Sequence, residues 1–233
     1  MLKKTLYIKT RNLILIFSLL VNELFFGWSF LNNTTNLMVS SFITYFLILI
    51  YYLQNYVQNK RKITFLESLF IFTFFLNITY DIFISNSSFL AVSPVMVLIN
   101  ILVNAIYIYL LKQENSRLSP NKKNEYVQLL VLCSFFLLFI FADQNLLSEM
   151  DDTTYLTSLI YCLEEFMIIA LCLNRPVNQL SFSLMLLFCI FFYFSDVYFI
   201  YFMFYSKLLW IGMVSSVFSH ASKFLISLAF LKR

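Results

Sequence analysis

Apolar runs of about twenty residues, the length that crosses a bilayer, recur along this chain and leave it few folds. Eight can be drawn: Leu13–Leu31, Leu37–Tyr56, Phe65–Ser85, Phe89–Leu111, Tyr126–Leu146, Thr154–Leu173, Leu180–Phe202 and Leu208–Leu231. The linkers are short and polar, such as NNTTN, QNKRK and NRPVNQ, so neighbouring runs pair as antiparallel hairpins. A membrane β-barrel would instead need short alternating segments, and these are absent. Only 12% of the residues are charged, where a soluble domain has about 25%. The expected fold class is an all-α polytopic membrane protein with eight transmembrane helices, residues 1–233 forming one membrane domain.

Lysine and arginine set the orientation, because they concentrate on the cytoplasmic side. One side receives Lys3, Lys4, Lys9, Arg11, Lys60, Arg61, Lys62, Lys112, Arg117, Lys122, Lys123, Arg175, Lys232 and Arg233. The other receives only Lys207, with the acidic loop of Glu149, Asp151 and Asp152. Both termini are therefore expected in the cytoplasm. The net charge of +4 follows this topology and does not argue for a nucleic-acid partner. The amino terminus, MLKKTLYIKTR, has the basic character of a signal peptide. The run after it is too long for one, contains Asn22 and Glu23, and lacks a small-residue cleavage site. A retained first helix is expected.

The longest linker, KQENSRLSPNKKNE, divides the chain into a first half at 1–112, a cytoplasmic linker at 113–125 and a second half at 126–233. Asp81 and Asp196 are 115 positions apart, and Asn104 and His220 are 116 apart. Two four-helix parallel repeats would explain both shifts. Chance similarity between Phe-rich helices is the alternative, since the chain has 29 Phe.

Ionisable groups inside such runs are functional candidates, because a charge at a bilayer centre costs roughly 2.5–3.5 kcal/mol on insertion scales. They are Glu23, Asp81, Glu164, Glu165, Asp196, His220 and Lys223, accompanied by Asn22, Asn77, Asn100, Asn104 and Ser195. Asp81 and Asp196 both fall in the outer half, ~21 and ~22 Å along their runs at the helical rise. Thr73, Asn77 and Asp81 form a stripe four residues apart, and Ser216, His220 and Lys223 share a helix face. The asparagines are expected to bond between helices. Lys223 is expected to pair with Glu164 or Glu165 or to extend towards the cytoplasm. His220 and Glu23 suit structural roles as well as functional ones. Asp196 and Asp81 are the two for which chemistry is the better expectation. Cys133, Cys162, Cys172 and Cys189 lie in runs at no metal-ligand spacing and suit packing. No metal site and no cofactor is expected. With only Gly27 and Gly212 there is no phosphate loop, and neither H-E-x-x-H nor G-x-S-x-G occurs.

The late Asp81 of the third run and Phe192-Tyr193-Phe194-Ser195-Asp196 of the seventh resemble the YhhN-like lysoplasmalogenase family. Tyr80 stands where that family usually has Gly. Asn104 and Tyr107 resemble its His-x-x-Tyr, with Asn in place of His. Tyr161 to Met167 loosely resembles its Tyr-to-Met stretch. Val217-Phe218-Ser219-His220 departs from the Tyr and Gln of its last span. The resemblance implies a plasma-membrane hydrolase, of the bacterial inner-membrane kind, that cleaves the vinyl ether of a lysophospholipid. It implies Asp196 and Asp81 as catalytic groups, with Ser195, Asn77, Asn104, Tyr107, Glu165, His220 and Lys223 as a supporting cluster. A multi-pass transporter or ion-coupled carrier with a midplane polar site is the alternative class.

Cysteine labelling checks the topology. Probes at Asn121 should react only from the cytoplasmic side and probes at Ser148 only from outside. An external signal at Asn121 would overturn the eight-run map.

Overall fold

A computed structural model describes residues 2–32, 37–58, 63–86, 94–114, 125–142, 144, 152–204 and 208–232. The chain is all-helical. Eight α-helices run through the described residues: α1 Leu2–Leu31, α2 Leu37–Gln58, α3 Phe65–Asn86, α4 Pro94–Gln113, α5 Glu125–Ala142, α6 Asp152–Leu173, α7 Gln179–Phe204 and α8 Leu209–Leu231. Four stretches among these residues, Thr10–Leu31, Tyr155–Leu173, Gln179–Phe199 and Leu209–Leu231, are long and apolar enough to cross a membrane. They mark a multi-pass membrane protein. Large apolar side chains such as Leu13, Phe17, Leu24 and Trp28 stand exposed on α1, as lipid-facing residues would.

The helices start where local chemistry allows. Thr64 and Glu67 form a capping box at the head of α3: the Glu67 carboxylate accepts from both the backbone N–H (3.1 Å) and the hydroxyl of Thr64, satisfying an end that has no helical partner. At the head of α7, Asn178 Oδ1 accepts from the Ser181 N–H at 2.9 Å. Proline stands first in α4, where its missing N–H is not needed. The run containing it was expected to begin at Phe89, which lies outside the described residues. α1 starts at Leu2 rather than Leu13, so its basic first turns continue the helix beyond the apolar run.

Contacts between helices trace a closed bundle. α1 packs on α2 and α8, α2 on α3 and α8, α3 on α4, α4 on α6, α6 on α7, and α7 on α8, with α5 against α6. The core is aromatic and dry: Tyr52, Phe70, Tyr107, Ile168, Phe188 and Ile226 are buried in it. Phe70 touches both Tyr52 and Phe230, with ring centres 4.8 and 4.9 Å away. At one end of the bundle the buried Arg175, between α6 and α7, pairs with Glu114 after α4. It donates to Ser181 at 3.0 Å and lies over the Phe230 ring. Ser181 in turn donates to the Ala229 carbonyl at 2.7 Å.

Both glycines of the chain sit at one crossing. A Cβ on Gly212 would lie 2.8 Å from Cζ of Phe30, and one on Gly27 would lie 3.2 Å from Sδ of Met213. α1 and α8 thus approach more closely there than a side chain permits. Gly212→Leu is expected to destabilise the purified protein by roughly 1–3 kcal/mol, the range for overpacking. An unchanged thermal midpoint would show that the crossing is loose.

Candidate functional site

Six helices direct polar groups into one apolar interior. His220 and Lys223, one turn apart on α8, are its hub, and both are 4% exposed. Both carboxylate oxygens of Glu23 on α1 lie 3.1 Å from His220 Nδ1. The opposite ring nitrogen, Nε2, lies 3.1 Å from the hydroxyl of Ser41 on α2. Ser41 in turn donates to Asp81 on α3. The imidazole is fixed edge-on against Phe26 and Tyr45, at ring distances of 5.0 and 5.2 Å. Glu23 is itself held, because Thr44 donates to it and Asn22 donates to Thr44 at 2.8 Å.

A second group of polar side chains gathers on α6 and α7. The Tyr161 hydroxyl donates to Asp196 Oδ2 at 2.6 Å, and the Glu165 carboxyl lies near that of Asp196. Lys223 stands between the two groups, its charge facing Asp196, Asp81 and Glu165. Lys223 Nζ lies 4.9 Å from the Phe192 ring centre and 5.5 Å from that of Tyr107, which suits a partly desolvated cation. Among the described residues it forms no salt bridge. The ion pair with Glu164 or Glu165 expected from sequence is therefore replaced by aromatic faces and longer-range attraction.

The other candidates divide. Asn77 donates to the Thr73 carbonyl of its own helix at 2.6 Å and also meets Tyr107, so it does link α3 to α4. Asn100 similarly meets Tyr80. Asn104 is 1% exposed, and its Nδ2 has no partner among the described residues. Ser195, next to Asp196, turns away from the cluster. It donates to the Ser215 carbonyl at 3.0 Å while Ser215 donates to the Ser195 carbonyl at 2.8 Å. This reciprocal pair ties α7 to α8 and leaves Asp196 about 100° round the helix from that contact. Ser41, Thr44 and Tyr45 were not singled out from sequence. Their signal was the spacing of Ser40, Ser41, Thr44 and Tyr45 on α2, which places two polar rows four residues apart. Hydroxyl residues are common enough in membrane helices that the spacing alone says little. Among the described residues no group of His, Cys, Asp and Glu side chains is arranged to hold a metal ion.

Ser195→Ala is expected to lower thermal stability by about 1 kcal/mol, the worth of one intramolecular hydrogen bond. No loss of stability would mean that α7 and α8 are held by packing alone. Compared with models of known families, with curated proteins and with solved structures, the chain finds no match.

Proposed function

We propose that the chain is an eight-span membrane hydrolase that cleaves the vinyl ether bond of a lysophospholipid, with Asp196 and Asp81 as the reacting carboxyls. One observation carries this reading. Two aspartates on different helices are differently partnered and face a shared cation in an apolar bundle. Asp196 meets a phenol and a second carboxyl, whereas Asp81 accepts from a serine hydroxyl.

Vinyl ether hydrolysis needs those two characters. A general acid protonates the ether's distal alkene carbon, and the positive charge falls on the carbon bonded to oxygen. Water adds there, and the hemiacetal collapses to a fatty aldehyde and a glycerol hydroxyl, consuming one water in all. Asp196, met by the Tyr161 hydroxyl and beside the Glu165 carboxyl, suits the acid. Asp81, acceptor of the Ser41 hydroxyl, suits the group that orients water. Asn104 Nδ2 and Glu165 Oε1 are buried and without partners among the described residues. Such atoms are costly unless something pairs with them, which favours a polar ligand beside α4 and α6.

The helix contacts support the two-repeat architecture. Advancing each helix by four maps α1–α2 onto α5–α6, α2–α3 onto α6–α7, α3–α4 onto α7–α8 and α2–α8 onto α6–α4, all of which are in contact, whereas α1–α8 has no matching α5–α4 packing among the described residues. Under this mapping Asp81 takes the place of Asp196, and Asn104 that of His220. A carrier of this design would break its helices at midplane, yet all eight helices run continuously through the described residues. Continuous helices favour a rigid site over a moving one.

The test is aldehyde release by purified protein from lysoplasmalogens of several head groups. Asp196→Asn keeps the size and removes the proton, and should lower release ~100-fold or more without harming membrane insertion. Undiminished release by the variant, or none by the unmodified chain, would sink the reading.

A further inference from the structure

We propose that Ser41, His220 and Glu23 form a nucleophile, base and orienting acid that open an acyl ester of a lipid, a second chemistry in the same bundle. Such a set is recognised by geometry and role rather than by chain order. Nucleophile and base lie at 3.1 Å, Ser41 Oγ to His220 Nε2. Base and orienter lie at 3.1 Å on the other ring nitrogen, His220 Nδ1 to Glu23. The carboxylate is held by Thr44, and the ring by Phe26 and Tyr45. The three residues come from α1, α2 and α8, which explains why no G-x-S-x-G turn is needed. His220 is the sole histidine of the chain, and each of its nitrogens meets a different member of the set.

The step balances with water alone. Ser41 Oγ bonds to the ester carbonyl carbon, and its proton moves to His220 Nε2. Glu23 accepts from Nδ1–H and stabilises the imidazolium that forms. The carbonyl oxygen gains negative charge near Lys223, one turn from His220 and without a salt bridge of its own among the described residues. The ester C–O bond breaks, and the proton passes from His220 to the departing alcohol. Water then adds to the acyl carbon and gives a proton to His220; the acyl–Oγ bond breaks as His220 returns that proton to Ser41 Oγ, which frees the fatty acid and restores the set. The set reaches the surface of the bundle at Glu23, whose side chain is 17% exposed. That surface is apolar on α1, with Leu24 and Phe25 exposed beside it, which suits the acyl chain of a lipid over a water-soluble ester.

Asp81 is the complication, since Ser41 also donates to it. One hydroxyl therefore faces two possible bases, and only His220 has a third group behind it. Nothing in this step requires vinyl ether chemistry, so the two can fail separately.

The experiment is labelling of full-length, monodisperse protein in detergent with a long-chain alkyl fluorophosphonate, followed by peptide mass spectrometry. Attack of Oγ on phosphorus expels fluoride and leaves a stable mark. The expected result is modification at Ser41. The mark should vanish in Ser41→Ala and form ~100-fold more slowly or worse in His220→Gln. Should His220→Gln lose monodispersity, Glu23→Gln, which leaves the imidazole in place, must show a clear slowing instead. No mark at Ser41 in the unmodified protein, or a mark at another serine instead, would overturn the proposal. So would an undiminished rate in the folded histidine or glutamate variant.

Discussion

Polar groups inside an apolar bundle must satisfy one another, since neither lipid nor water does it for them. That constraint organises this protein. His220 meets Glu23 and Ser41, and Ser41 also meets Asp81. Asp196 meets Tyr161 and Glu165, and Lys223 faces both aspartates. Removing a single member leaves another group buried without a partner, at a cost of about 1–3 kcal/mol or more for a charged one. The helix order follows from the same need. α2 and α8 lie side by side because the groups that join α1 and α3 to the hub sit on them.

Much of this was legible in the sequence. Apolar length pointed to helices, because covering a bilayer's thickness is a simple requirement of composition; eight run through the described residues, four of them with stretches long and apolar enough to cross a membrane. The fold also brings ionisable residues of different runs near one another: Glu165, His220 and Lys223 are buried, and Asp81 and Asp196 are half-buried. Their pairing was not legible. Lys223 was expected to pair with Glu164 or Glu165 or to extend towards the cytoplasm. Two aromatic faces, Tyr107 and Phe192, hold it instead, and no one-dimensional pattern announces a ring beneath a cation. Ser195 misled in the opposite sense. Adjacent to Asp196 in sequence, it sits about 100° round the helix and bonds to the backbone of α8.

Ser41 illustrates a further limit. A hydroxyl costs little to bury in a helix because it can bond to a carbonyl of its own helix, as Thr73 does to Phe70 at 2.7 Å. A serine in an apolar run therefore carries no warning of function. Its meaning appears only when folding sets it between an imidazole and a carboxylate. The site is long-range in this sense: its decisive contacts join residues far apart in the chain, and only the fold supplies them.

The distance in sequence between Glu23 and His220, 197 positions, has a consequence for biogenesis. Helices of a multi-pass protein enter the membrane in chain order as they are synthesised. α1 therefore brings Glu23 to the membrane well before α8 is made, and α2 and α3 follow with Ser41 and Asp81. Until α8 arrives, the partial protein lacks the imidazole that pairs with Glu23, the lysine that faces both aspartates and the helix that seats Gly27. Chains that stall before residue 220 would present these groups to the bilayer, where membrane chaperones and proteases recognise unfinished bundles. α8 thus closes the contacts that α1, α2 and α3 leave open.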